Sequence, residues 1–255
     1  MNRSILFVLT LSLLLGPQVN AFVDNEISLT QNISNLERPI KGEICHDSWS
    51  LFLKKHVDNN GLVDYKSIKN ELATLNLYLT SLSKNTPDDS WSKDKKMAYW
   101  INAYNAFTIK LIVDRYPIAS IKEIEKPWDL KFIELGENTF SLNDIEHKIL
   151  RKMDDPRIHF GIVCASFSCP KLQNEAFVAS KLDQQLNDAT REFLADSDRN
   201  TLSENAVEIS KIFKWFSKDF KKEGSIIDFL NKYSEIKISQ KAKKSFKDYN
   251  WNLNE

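Results

Sequence analysis

From Trp49 onward, apolar side chains recur at helical spacing. Trp49, Phe52, Leu53 and Val57 share one face, and the run ends at the turn signal Asn59-Asn60-Gly61. Leu62-Val63-Asp64-Tyr65 alternates like a short strand, and Leu72, Leu75, Leu79 and Leu82 mark a second amphipathic helix. Pro87-Asp88-Asp89-Ser90 breaks that pattern and opens the next helix, predicted over 92–116 and closed by Pro117. Between Lys96 and Lys110 this helix carries no charge, so it predicts an element buried on most sides. Phe132 to Phe140 predicts a hairpin turning at Gly136-Glu137-Asn138. Ser141-Leu142-Asn143-Asp144 has the form of a capping box that starts a helix carrying His147 and ending near Met153. After a break at Asp154-Asp155-Pro156, Ile158 to Cys164 is the strongest strand pattern in the chain. A helix over 179–194, a strand at Val207–Ser210 and a helix at Ile226–Tyr233 follow. With no internal repeat and no Gly/Ser linker, residues 45–255 predict one helix-rich α+β domain, a small β-sheet around a buried central helix.

Residues 1–21 stand apart. Arg3, the apolar run Ile5 to Leu15, and Val19-Asn20-Ala21 predict a secretory signal peptide cleaved before Phe22. The apolar run is too short to span a bilayer, so no membrane span is expected after cleavage. Residues 22–44 lack periodicity and read as an extended lead-in. The expected location is periplasmic or secreted. Lys+Arg and Asp+Glu each number 35, and this balance argues against a nucleic-acid partner. Six scattered glycines exclude a P-loop or a dinucleotide fingerprint, and no cofactor is predicted.

Two of three cysteines and two of four histidines fall within 147–169. Cys164 leaves the predicted strand into a loop of small polar residues, a setting that suits a nucleophilic thiolate. Alternation along a straight strand puts His159 and Cys164 on opposite faces, which favours His147 as the base, with Asn143 four residues earlier to orient its ring. Ser166 lies in the same loop. An oxidising compartment equally permits a structural Cys164–Cys169 disulfide. As a metal set, His147, His159, Cys164 and Cys169 fit no usual zinc spacing. Asn102 and Asn105, three apart on the buried helix, either tie it to neighbouring backbone or line a binding pocket. Two functions stay open at this point. One is a thiol-dependent enzyme, acting by acyl transfer, hydrolysis or thiol–disulfide chemistry with Cys164 and a histidine. The other is a non-catalytic binding or interaction domain stapled by a disulfide. Its ligand would be a small molecule or a peptide.

Three long segments carry a family likeness: Ala98–Ile109, Ser141–Leu150 and Asp155–Leu172. Together with Ile212-Phe-Lys-Trp-Phe216 they resemble the "domain of unknown function 547" family over about 49–233. The resemblance implies limits for the domain and supplies no activity.

Overall fold

The computed structural model describes residues 44–255. The leader expected at 1–21, and the lead-in at 22–44 except Ile44, lie outside the described residues. Three helices come first: α1 (Asp47–His56), α2 (Tyr65–Asn70) and α3 (Leu72–Lys84). They bury the faces that the spacing predicts, with Trp49, Phe52 and Leu53 on α1 and Leu75, Leu79 and Leu82 on α3. The strand expected at 62–65 is reduced to one antiparallel bridge between Val57 and Val63. Asp64 explains why: its carboxylate accepts the Ser67 N–H at 2.8 Å and caps α2, so the chain turns into a helix at Tyr65.

The central helix is α4 (Lys93–Val113), capped by Ser92, whose hydroxyl accepts from the Lys95 N–H. From Met97 to Val113 every residue except Lys110 is buried. A charge inside that stretch would cost several kcal/mol of lost hydration, on the order of what a paired ion recovers, which accounts for its absence. The hairpin follows as β1 (Ile133–Leu135) and β2 (Asn138–Phe140), antiparallel, with Gly136 at φ 60° in the two-residue turn.

Residues 158–164 correct the sequence reading. Ile158–Gly161 is a single helical turn, α5, and only the residues after it are extended. Asp155-Pro156, read as a break, starts the turn instead. The Asp155 carboxylate accepts the Arg157 N–H at 3.0 Å, and Pro156 has no N–H to leave unpaired. A short apolar run does not by its pattern distinguish a buried strand from a buried helical turn. Here both sides are buried because α5 spans two hydrophobic clusters. Ile158 and Ile162 belong to the larger one, with α4, whereas Phe160 belongs to the second.

That second cluster is rich in phenylalanine: Phe160, Phe193, Phe213, Phe220 and Phe229 pack with ring centroids 4.7–6.3 Å apart. It gathers α6 (Leu182–Ala195), α7 (Ile212–Trp215), α8 (Ser217–Phe220) and α9 (Ile226–Tyr233). Beside them lies a three-stranded sheet, in order β3 (Thr201–Leu202), β4 (Ala206–Ile209) and β5 (Lys243–Phe246). β3 pairs antiparallel and β5 parallel to β4. The sequence does not announce β5. By sequence the basic run Lys241, Lys243 and Lys244 is a solvated face; all three are exposed, and Lys243 and Lys244 lie on an edge strand that their charges protect from further pairing. Residues 250–254 then cross back to the first half. Asn254 accepts from the Val63 N–H at 2.8 Å and from the Tyr65 hydroxyl at 2.8 Å, and the Leu253 N–H donates to Ala119 O at 3.0 Å.

Candidate functional site

A cleft of about 210 Å³ is lined by residues of both clusters. One part of its wall is aromatic: Trp128, Trp215, Phe216, Tyr249 and Trp251. Tyr249 packs 4.5 Å from Trp251 and 4.8 Å from Trp215, centroid to centroid, and Trp128 meets Trp251 edge-on at 5.6 Å. The cleft's polar side chains and its cysteines come from three short segments: Asn143, Glu146 and His147, then His159, then Cys164 and Cys169, with Tyr104, Ile162, Pro170 and Ile212 completing the wall.

The first of these segments is a π-helical turn, Asp144–Ile149, running into a 3₁₀ turn, Leu150–Met153. Ser141 and Asp144 start it reciprocally: the Ser141 N–H donates to Asp144 Oδ2 at 2.8 Å, and the Asp144 N–H to Ser141 Oγ at 3.1 Å. Asn143 donates its amide to Asp129 Oδ1 at 2.6 Å. His147 Nδ1 instead takes a hydrogen bond from Arg151 Nη1 at 3.1 Å, and because a guanidinium only donates, Nδ1 is the unprotonated nitrogen. Burial and the Arg151 charge both push the His147 pKa down, so the ring is neutral.

Arg151 is itself anchored by Asp219, through Nε at 2.6 Å and Nη2 at 3.0 Å. Asp219 also receives His159 Nε2–H at 2.9 Å. Burial pushes the Asp219 carboxyl up, but His159 and Arg151 outweigh it and hold the group well below the usual carboxylate range. His159 stacks on Phe216 at 4.0 Å, and its burial lowers its pKa despite Asp219. Its free nitrogen, Nδ1, faces Glu146 Oε1 at 3.9 Å, beyond hydrogen-bond reach. Glu146 is buried, and that burial raises its pKa to about 7, against the pull of Arg151 and the Tyr104 hydroxyl.

Cys164 and Cys169 are joined as a disulfide in the cleft wall. Asn105 positions the chain just before it, donating to Gly161 O at 2.8 Å and accepting from the Val163 N–H at 2.9 Å. The fit around Gly161 is close, since a Cβ there would lie 3.3–3.4 Å from the Leu186, Ile101 and Phe177 side chains. Cys164 is half-buried and Cys169 buried. Cys169 Sγ receives the Cys164 N–H at 3.0 Å and the Tyr249 hydroxyl at 3.3 Å. Ser166 Oγ lies 3.3 Å from Cys164 Sγ and donates to the Tyr249 hydroxyl at 3.1 Å. Burial raises the Tyr249 pKa to about 12, which keeps it a donor. Arg199 braces the loop from behind, with Nε on Cys169 O at 2.7 Å and its guanidinium 5.2 Å over the Phe167 ring.

Residues 89–194 match the family model described as "Protein of unknown function, DUF547". The stretch lies inside the 49–233 likeness read from the motifs and contains α4, the π-helical turn, α5 and the disulfide loop. No curated protein and no solved structure matches the chain.

Within the matched stretch the structure brings Asn143, His147, His159, Cys164 and Cys169 to one cleft. The alternation that separated His159 from Cys164 does not exist, because His159 sits on a helical turn. Asn102 and Asn105 do not line the cleft. Each holds a backbone, Asn102 donating to Phe177 O at 2.8 Å and accepting the Phe177 N–H at 3.0 Å. Sequence reasoning missed Glu146, which sits beside His147 in a quoted motif, and Asp219, which has no local signature. It also missed Tyr249 and Trp251, outside the matched stretch, whose signal is two aromatics in a mostly polar segment. Among the described residues, no group of three or more His, Cys, Asp or Glu could hold a metal ion, and no helix is long and apolar enough to cross a membrane.

Proposed function

We propose that this protein is a thiol–disulfide oxidoreductase acting in the periplasm or outside the cell, with Cys164–Cys169 as its reactive bond. The observation that carries the reading is the pair of hydrogen bonds on Cys169 Sγ. A thiolate of a substrate dithiol attacks the more accessible sulfur, Cys164 Sγ. The Cys164–Cys169 bond breaks, and its electron pair goes to Cys169 Sγ, where the Tyr249 O–H and the Cys164 N–H stabilise the new thiolate. A better-stabilised leaving thiolate departs faster. The second substrate thiol, as thiolate, attacks the substrate sulfur of the mixed disulfide, closing the substrate's own disulfide. Cys164 leaves as a thiolate, and the two protons lost by the substrate end on Cys164 and Cys169. His147 is poorly placed to serve as base, because Arg151 occupies its free nitrogen. His159 Nδ1 and Glu146 are the acceptors left in the cleft. Acyl transfer by Cys164 is less well supported, since its sulfur is bonded. The predicted leader and the disulfide both support an oxidising compartment.

A structural staple is the competing reading. The disulfide loop pins residues 250–252, through the Phe167 N–H on Asn252 O at 2.7 Å and the Ser168 N–H on Asn250 O at 3.2 Å. The test is native-state reduction by dithiothreitol, followed by alkylation mapped to each cysteine. The oxidoreductase reading expects rapid reduction of the folded protein, and a Cys169→Ser variant whose Cys164 thiolate attacks a peptide disulfide, releases one peptide thiolate and stays trapped as the mixed disulfide. A bond that yields only when the chain unfolds overturns it in favour of the staple.

A further inference from the structure

Among the described residues, Glu146 Oε1 is a buried side-chain oxygen with no hydrogen-bond partner. Buried polar atoms are rarely left so, and a buried carboxyl at a cleft wall calls for a positive charge nearby once it ionises. The surrounding charges say which sign. Arg151 is engaged by both oxygens of Asp219. His147 and His159 are neutral, and the buried Tyr104 and Tyr249 hydroxyls keep their protons. Glu146 therefore carries the one uncompensated charge of this group once it ionises.

The aromatic wall supplies the complement. Phe216 already stacks on His159 and has the Arg151 guanidinium 5.4 Å from its centroid, and Trp251 carries Lys122 at 4.8 Å. Among the described residues, no cation lies over Trp128, Trp215 or Tyr249, which line the same cleft. Indole and phenol faces attract organic cations, most strongly where water is excluded. We infer that the cleft binds an alkylammonium group, with Glu146 as its counter-ion and Trp128, Trp215 and Tyr249 as its aromatic cage. The ligand class is a quaternary or methylated amine, whether free or on a larger molecule. This site does not depend on the disulfide being reactive.

Choline is the probe, titrated into the oxidised protein in amine-free buffer and followed by tryptophan fluorescence and calorimetry. Its uncharged isostere 3,3-dimethyl-1-butanol is the control. Choline should bind at least about tenfold more tightly than the control. Glu146→Gln should abolish that preference, and Trp215→Ala should weaken choline binding by a similar factor. The titration is made on the oxidised protein with no thiol present, so a failure of the thiol chemistry leaves this result untouched. No choline binding by the parent protein, equal binding of the alcohol, or undiminished choline binding by Glu146→Gln would each overturn the inference.

Discussion

Replacing Glu146 by Gln removes a buried carboxyl while keeping its shape, and the structure gives both the sign and the size of the effect. Glu146 ionises at about 7 in the folded protein against an ordinary value of 4.5. Between those values the folded chain keeps a proton that the unfolded chain has lost. Stability attributable to this group therefore falls as pH rises from 4.5 to about 7, then stays level. At about 1.4 kcal/mol per unit, the full cost above the window is about 3 kcal/mol. Glu146→Gln should match the parent near pH 4 and exceed it by about 3 kcal/mol at pH 8, or roughly 6–12 °C in Tm for a domain this size. The assay is thermal and urea unfolding of both proteins from pH 4 to 9, in amine-free buffer so that no ligand offsets the charge. Other titrating groups are common to the two chains and cancel in the difference. A constant offset across the range, or a variant less stable at pH 8, refutes the reasoning.

Three further predictions concern the scaffold. His46, buried against the Tyr78 hydroxyl at 2.7 Å, has its pKa lowered by burial to about 4, so the fold loses stability as pH falls from 6.5 to 4. His46→Gln should flatten that acid limb in the same unfolding series. Asn105→Ala strands Gly161 O and the Val163 N–H, and should lower stability by about 2–5 kcal/mol in urea, more than an ordinary surface change. Gly61 sits at φ +78° with the Lys171 and Leu172 backbone 2.9 Å from where a Cβ would be. Gly61→Ala should therefore cost about 2 kcal/mol or more, and a Tm unchanged within error would contradict this.

The elements most legible in the sequence were those with long periodic faces or explicit turn chemistry. The buried α4, the Gly136 hairpin and α9 all lie where pattern and punctuation agree. Ile158–Gly161 misled because its burial comes from two clusters at once, leaving no polar side to betray its period. The cleft was half visible. Residues 143–169 gather within one stretch, so their clustering survives any error in local structure. Asp219, Trp215, Tyr249 and Trp251 reach the same place only through tertiary packing, and Asp219 acts through Arg151 and His159, 68 and 60 residues away. No local pattern encodes such a meeting.

The crossing of residues 250–254 also sets an order of events. Asn254 bonds to Tyr65 across 189 residues and to Gly61 across 193, and contacts of such separation close late because the loop entropy comes first. Tyr249 and Trp251 arrive with that segment, whereas Cys164 and Cys169 are five residues apart. A nascent chain can thus oxidise its cysteine pair while the loop is still open to an oxidant. Docking of the last strap then encloses a bond already made, and the binding cleft is assembled at the close of folding.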